Sequence, residues 1–194
     1  MKRIVLSLFA IGLVVLGLAG IMPSLPSQVA VQTAVQADAE RTITLDMALD
    51  CRTFNYTRGL TLDQIVRGDG FIINGKIFPA GTLGRGTQSN DPNDPRSIGT
   101  YVSRGTSTAT LAEHLANPES PGVFATQYYL LNNGRALVGE GWFAPSGAHQ
   151  EAVVGGMGAF RGASGEVFAV NIGTNITGCP NSRLTFSLEK QAPK

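Results

Sequence analysis

Hydrophobic and polar residues alternate along several short stretches of this chain with a period of two. Residues 41–47 show the pattern most simply, because Ile43, Leu45 and Met47 share one side and polar residues occupy the other. Such alternation predicts a β-strand with one buried face and one face in water. Apolar or alternating runs predict further strands at residues 70–78, 98–110, 122–131, 135–143, 149–154, 167–172 and 183–188.

Turn-forming residues separate these stretches. The sequence Asn-Asn-Gly at 132–134 lies between two apolar runs and is the strongest hairpin signal in the chain. The Asn-Gly pair at 74–75 predicts a second hairpin turn, and the polar residues 85–97 predict a long surface loop. Residues 111–115 allow one helical turn, but no long helical period occurs. The fold class is therefore predicted to be all-β, an antiparallel barrel or sandwich.

The start of the chain has a different composition from the rest. A pair of basic residues precedes an uncharged apolar run that ends at Met22, and Ala39 closes a small-x-small cleavage motif. This pattern predicts a secretory signal peptide over residues 1–39 and one exported domain over residues 40–194. The run is close to the roughly 20 residues that span a bilayer, so an uncleaved N-terminal anchor is the alternative.

Charge is balanced along the predicted domain. Once Lys2, Arg3 and Asp38 are set aside from totals of 15 basic and 14 acidic residues, 13 of each sign remain in residues 40–194. Such a surface has no basic field to attract nucleic acid and no charge run that suggests a membrane surface. We therefore expect no nucleic-acid partner and no stable membrane association after the leader is cleaved.

The chain has two cysteines, Cys51 and Cys179, and both lie in the predicted domain. An exported protein, secreted or periplasmic, meets an oxidising environment, which favours a disulfide between them. Such a bond would tie the first strand region to the last and is worth roughly 4–5 kcal/mol by loop entropy. Two unpaired buried thiols are the alternative. This separation shows no metal-ligand spacing, so no metal is expected.

A glycine-rich stretch follows the strand predicted at 149–154. Gly155, Gly156, Gly158 and Gly162 predict a tight bend between two strands. A nucleotide-binding loop is the more specific alternative. The sequence does not match its motif, because Arg161 occupies the position of the last glycine of G-x-G-x-x-G. No G-K-[ST] follows either, so no phosphate-binding loop is predicted.

The same stretch resembles a known family signature. Val-Val-Gly-Gly-Met-Gly-Ala-Phe-Arg at 153–161, then Ala-Ser-Gly at 163–165, is similar to V-V-G-G-T-G-x-F and A-R-G of the dirigent and allene oxide cyclase-like barrel proteins. His149 and Glu151 lie just upstream, where that family often has a similar polar pair. Residues 69–78 resemble an earlier family segment, a strand after Gly-Asp.

The resemblance covers roughly residues 68–188 and implies a calycin-like antiparallel barrel of about eight strands, whose interior can hold one small ligand. Members of the family guide the cyclisation of reactive intermediates or set the stereochemistry of radical coupling, generally without a metal or organic cofactor. Here Ser164 replaces the arginine of A-R-G, which those proteins are thought to use in the pocket. That departure argues against lignan-type coupling and leaves a cyclase-like or binding role.

Three residues are candidates for chemistry in such a pocket. Glu140 shares a strand face with Val138 and Trp142, so an inward orientation would bury its carboxyl group and suit it to general acid catalysis. Tyr128 could donate a hydrogen bond that orients a substrate, and Arg104 could stabilise an oxyanion or enolate. The alternative for each is structural, with Glu140 and Arg104 in solvent and Tyr128 in the core.

Three functions remain open at this stage. The first is a cofactor-independent, cyclase-like barrel that folds a small apolar substrate for ring closure. The second is a barrel that binds a lipophilic small molecule without turnover, and the third is a structural envelope protein with a packed interior. An outward apolar strand face would suggest self-association, so a homo-oligomer is a further expectation.

Overall fold

The structure is a computed structural model that describes residues 41–59, 64–84, 91–117, 122–143 and 148–189. Eight antiparallel strands form one closed barrel in chain order. The strands are β1 (Arg41–Tyr56), β2 (Gly70–Pro79), β3 (Gly99–Ser107), β4 (Val123–Leu131), β5 (Ala136–Phe143), β6 (His149–Met157), β7 (Gly165–Thr174) and β8 (Pro180–Leu188). The prediction of an all-β, antiparallel, eight-stranded barrel is confirmed. The predicted signal peptide lies outside the described residues.

The barrel closes through the first strand. In β1, Leu45 pairs with Pro79 of β2 on one side and with Leu184 of β8 on the other. Every strand therefore has two hydrogen-bonded neighbours, so the sheet has no open edge that could pair with another chain. The remaining neighbours follow one another as antiparallel hairpins, as in an up-and-down barrel.

Alternation along the strands places one set of side chains inside the barrel. Met47, Val167, Leu184 and Phe186 are almost fully buried and belong to a single large hydrophobic cluster. Their burial removes apolar surface from water, which is the main favourable term in folding. The interior is therefore largely apolar, as the alternation of residues 41–47 predicts.

Part of the outer face is covered by the chain itself. The segment after β2 lies against the outside of the barrel, where Leu83 packs in a second cluster with Ala48, Phe78 and Ile172. The backbone N–H of Leu83 donates to Asp46 Oδ2 at 3.0 Å, and Asp46 is fully buried. These contacts bury the outer face of β1 around Asp46, whereas Phe168 and Val170 on the outer face of β7 remain 45% and 38% exposed.

The Asn-Gly pair at 74–75 is not a turn, so that prediction is wrong. β2 runs through it without interruption, and Gly75 pairs with Leu49 of β1 and Tyr101 of β3. A Cβ atom on Gly75 would lie 2.5 Å from the backbone oxygen of Ala48. The glycine therefore permits a close approach of two strands, which is the other common use of glycine in a sheet.

The hairpin predicted at 132–134 is confirmed. β4 and β5 are joined there, the Leu131 N–H donates to the Arg135 carbonyl at 2.8 Å, and Gly134 has a positive φ of 75°. The glycine-rich bend is also present, because β6 ends in a 3₁₀ turn at Gly158–Phe160 in which Gly158 has a φ of 62°.

The predicted disulfide is present between Cys51 of β1 and Cys179, which precedes β8. It links positions that are 128 residues apart in the sequence. One short helix, α1 (Leu111–Ala116), occurs where one helical turn is predicted, and Thr110 and Glu113 form a capping box at its start. Among the described residues, no helix has the length and apolar character needed to cross a bilayer.

Candidate functional site inside the barrel

The structure places Tyr128 and Glu140 on the outer face of the barrel. They alternate with buried residues of β4 and β5 and share their side of the sheet with Phe124 and Trp142, whose exposed fractions are 38% and 53%. The prediction that Tyr128 and Glu140 line an internal pocket is therefore wrong. A period of two shows which residues share a face, but it does not show which face turns inward.

Arg104 also lies on the outside, on β3, and its side chain is exposed. Its guanidinium carbon is 5.5 Å from the centre of the Tyr128 ring, a cation–π contact. Glu140 is on the next strand but one, with Thr126 of β4 paired between it and Arg104. The three residues are thus neighbours on the outer surface, and a catalytic role for any of them stays a prediction.

The inner faces of β3, β4 and β6 carry a different set of polar residues. Five side chains from these strands point into the barrel and contact one another, and we refer to them as the interior polar cluster. The cluster consists of Tyr101, Gln127, Tyr129, His149 and Glu151. All five side chains are buried, and the Glu151 side chain has an exposed fraction of 0%.

Gln127 is the centre of the cluster. The hydroxyl groups of Tyr101 and Tyr129 both donate to its Oε1, at 2.5 and 2.9 Å. Its Nε2 donates to Oε1 of Glu151. Because two donors fix the oxygen and the carboxylate accepts from the nitrogen, the amide has one favourable orientation. The cluster is consequently a connected network that holds the Glu151 side chain in place.

The two oxygen atoms of the Glu151 carboxylate differ in their hydrogen bonding. Oε1 receives the Gln127 amide and lies 3.0 Å from Nε2 of His149. Oε2 is buried and has no hydrogen-bond partner among the described residues. A buried carboxylate oxygen without a donor is costly, so natural proteins seldom leave one without a purpose. Oε2 is the atom of this cluster that can accept a proton or a hydrogen bond from a bound molecule.

Two glycines of β5 give the carboxylate its room. A Cβ atom on Gly139 would lie 3.1 Å from Glu151 Oε2, and one on Gly141 would lie 3.1 Å from Cγ of Glu151. Both distances are tighter than ordinary contact, so a larger residue at either position would displace the side chain. The room that the Glu151 side chain occupies is therefore provided by the sequence Gly139-Glu140-Gly141, in which the outward glutamate alternates with two inward glycines.

The two phenols of the cluster are held in their neutral form. Burial raises the pKa of both Tyr101 and Tyr129 well above the usual range, and the nearby Glu151 carboxylate acts in the same direction. Each tyrosine therefore remains a hydrogen-bond donor at neutral and moderately alkaline pH. Tyr129 is fixed further by an edge-to-face contact with Phe186, with ring centres 4.9 Å apart.

Sequence reasoning identified part of this site. The resemblance pointed to His149 and Glu151 as a polar pair, whereas Tyr101, Gln127 and Tyr129 were missed. Gln127 and Tyr129 could have been found by assigning the opposite face of β4 to the interior, since they alternate with Tyr128 along the strand. Within the described ranges, no three side chains of the metal-binding types converge on one point.

Comparisons with known proteins bear on the fold. No family model matches the chain, and no curated protein matches it. Among solved structures, it is similar to the pterocarpan synthase dirigent protein PsPTS1, with 14% identity and a TM-score of 0.58 over 81% of this chain and 99% of that one. The pterocarpan synthase dirigent protein GePTS1 is similar at 14% identity and a TM-score of 0.56, covering 80% of this chain and 89% of that one.

A third similar structure is described as a pyocyanin demethylase, with 15% identity, a TM-score of 0.51, and coverage of 76% of this chain and 99% of that one. At such low identity these likenesses show a shared fold and nothing finer. The chain thus has an eight-stranded barrel fold similar to that of dirigent proteins, with a buried polar cluster in its interior. The resemblance to allene oxide cyclase itself stays a prediction.

Proposed function

We propose that this protein is an exported, cyclase-like or dirigent-like barrel that binds a small, largely apolar molecule inside and moves a proton through Glu151. The observation that carries the proposal is the buried carboxylate whose Oε2 has no partner among the described residues. A fully buried acidic group beside an imidazole is typical of functional sites, because stability alone does not call for it. As the family resemblance implies, the proposed reaction uses no cofactor.

The chemistry follows from the two oxygens of that carboxylate. Gln127 and His149 hold Oε1, so Oε2 keeps a fixed position relative to a molecule in the barrel. Oε2 can accept a proton from an acidic hydroxyl or C–H group of the substrate and return it to another atom of the product. The apolar walls would hold a flexible substrate in the folded conformation that ring closure requires, which lowers the entropic part of the barrier.

Export is supported by two independent features. A disulfide such as Cys51–Cys179 persists in oxidising compartments and is rare in the cytosol. The first 39 residues have the composition of a secretory leader. Together they favour a secreted or periplasmic location for the barrel.

A ligand must first be identified for a direct test. Native mass spectrometry of protein purified from its own source should show a co-purifying small molecule, and its release on denaturation gives its mass. The same compound then serves as the probe for binding and turnover. Absence of any bound compound, together with no binding of apolar probes such as fatty acids or flavonoids, would favour a packed structural barrel.

Two matched variants test the role of Glu151. Glu151→Gln keeps the shape of the side chain but removes the carboxylate that would accept the proton, so turnover should fall by at least tenfold while binding is retained. Glu140→Gln makes the same change on the outer face and should leave turnover unchanged. If Glu140→Gln abolishes turnover and Glu151→Gln does not, the interior assignment is wrong and the outer surface carries the chemistry.

A carrier without catalytic activity is the second candidate. The observation that favours it is the extensive hydrogen bonding within the cluster, since Oε1 of Glu151 and Oε1 of Gln127 each have two neighbours that can donate. Such a network could simply anchor the polar end of a lipophilic ligand. In that case Glu151→Gln weakens binding, and neither the natural protein nor the variant converts the compound.

A further inference from the structure

The outer face of β3, β4 and β5 leaves large apolar side chains in water. Trp142 and Phe124 are 53% and 38% exposed, and their ring centres are 5.2 Å apart in an edge-to-face contact. A cluster of exposed aromatic residues on one face marks an interaction surface more often than a chance arrangement. We call this surface the β3–β5 face. It comprises Arg104, Thr106, Phe124, Thr126, Tyr128, Val138, Glu140 and Trp142.

Opposite charges flank the central strand of this face. Arg104 of β3 pairs in register with Thr126 of β4, which pairs in turn with Glu140 of β5. Neighbouring strands are about 4.8 Å apart, so the positive and negative residues stand roughly 10 Å apart, one on each side of β4. Among the described residues neither Arg104 nor Glu140 forms an ion pair, so both charges remain available.

An exposed indole ring and a surface pocket flank the same strand one row further along. Thr106 of β3 pairs with Phe124 of β4, which pairs with Trp142 of β5. On the β3 side of this row an open pocket of about 330 Å³ is lined by Thr106 and Phe124 and extends to Arg104 and Thr126 of the charged row. On the β5 side the indole of Trp142 is about half exposed and packs edge-to-face against Phe124. The pocket is large enough for an aromatic side chain.

In the charged row and in the aromatic row, complementary features lie on opposite sides of β4. A single two-fold rotation brings the complementary features of two copies together in both rows. A two-fold axis that lies in the contact plane and runs along β4 places the β3 side of one copy against the β5 side of the other. It preserves the position along the strand, so Arg104 meets Glu140 of the second copy. The same operation brings Trp142 over Thr106 and the adjacent pocket of the second copy. A two-fold axis across the strands would instead oppose Arg104 to itself.

We infer that the β3–β5 face binds a second copy of this chain about a two-fold axis parallel to β4. The contact is isologous, with two Arg104–Glu140 ion pairs and two Trp142 side chains inserted into the opposing pockets. Buried aromatic and arginine residues are the usual energetic centres of such interfaces. Because two convex barrels touch over only a few strands, the dimer should be reversible and at the small end of interface sizes.

Charge reversal provides a sharp test by sedimentation velocity of the mature protein over a range of concentrations. Arg104→Glu and Glu140→Arg each oppose like charges at both contacts, so each should raise the dimer dissociation constant at least tenfold. An equal mixture of the two variants should restore association, since each variant then faces the opposite charge at both contacts. Glu166→Arg, on the outer face of β7, is the matched control and should not change the dissociation constant.

Trp142 gives an independent signal because it is the only tryptophan of the chain. Its fluorescence should shift to shorter wavelength as the protein is concentrated, and Trp142→Ala should weaken association. A monomer at every concentration, a trimer or another stoichiometry, or failure of the mixed variants to associate would each overturn the inference. None of these readouts involves the barrel interior, so they are independent of the proposed function.

Discussion

Replacing Gly156 with alanine should destabilise the barrel, whereas the same change at the adjacent Gly155 should not. A Cβ atom on Gly156 would lie 2.4 Å from the Phe160 carbonyl oxygen and 2.7 Å from the Ala136 carbonyl oxygen. Around Gly155 no atom lies within 4 Å of the corresponding position. The glycine-rich bend is thus crowded at one glycine and open at the next, which makes the pair a matched comparison.

The expected loss can be worked from these contacts. Both obstructing atoms belong to the backbone, so the extra methyl group can be accommodated only by moving β5 or the 3₁₀ turn, at a typical cost of about 1–3 kcal/mol. Alanine also restricts the unfolded chain, which offsets roughly 0.4–1 kcal/mol. The free energy of unfolding should therefore fall by about 1–2 kcal/mol, equivalent to a decrease in Tm of roughly 2–8 °C for a domain of this size.

Thermal and urea unfolding of both variants would measure this difference. Gly155→Ala should leave the free energy of unfolding unchanged or raise it by less than about 1 kcal/mol. Gly156→Val should cost more than Gly156→Ala, because it adds two further methyl groups at the same crowded position. Equal stability of the Gly155 and Gly156 variants would show that the close approach seen in the structure does not exist in solution.

Three further predictions concern the whole domain. Non-reducing peptide mapping should find Cys51 joined to Cys179, and replacing both by serine should cost about 2–5 kcal/mol of stability, whereas two free thiols in the native protein would exclude the bond. Burial raises the pKa of Tyr56 to about 12, so the unfolded chain loses this proton at lower pH than the folded one. The Tm should consequently decrease as pH rises from about 10 to 12, with a shallower decrease for Tyr56→Phe. Mass analysis of exported protein should show Glu40 as the first residue, and an intact leader would support the membrane anchor instead.

The architecture could be predicted because its signals are local. The alternation of residues 41–47 and the hairpin sequence at 132–134 each depend on a few consecutive residues, and both are confirmed. The disulfide followed from an even cysteine count and a predicted compartment. The hairpin turn predicted for the Asn-Gly pair at 74–75 was wrong, because the glycine at position 75 is required by the close approach of β1, a strand that is distant in sequence. A single sequence contains no local mark of such a contact.

The orientation of β4 could not be predicted for a physical reason. One face of this strand carries Phe124, Thr126, Tyr128 and Leu130, and the other carries Val123, Ala125, Gln127, Tyr129 and Leu131. Both faces mix apolar and polar residues, so hydrophobicity does not decide which face turns inward, and the prediction for Tyr128 chose the wrong one. The structure turns the second face inward, where Ala125 and Tyr129 belong to the core and Gln127 has hydrogen-bond partners on β3 and β6 that no local pattern shows.

The orientation of β4 connects the interior site with the outer surface. Successive side chains of a strand point to opposite faces, so turning Gln127 inward necessarily turns Tyr128 and Phe124 outward. The opposite orientation of β4 would have placed these aromatic rings in the core, where their burial would have stabilised the monomer. Instead, the barrel keeps a buried carboxylate network inside and leaves an aromatic surface outside. The proposed proton transfer by Glu151 and the proposed contact with a second copy would then both follow from the orientation of β4, which turns Gln127 inward and Phe124 outward.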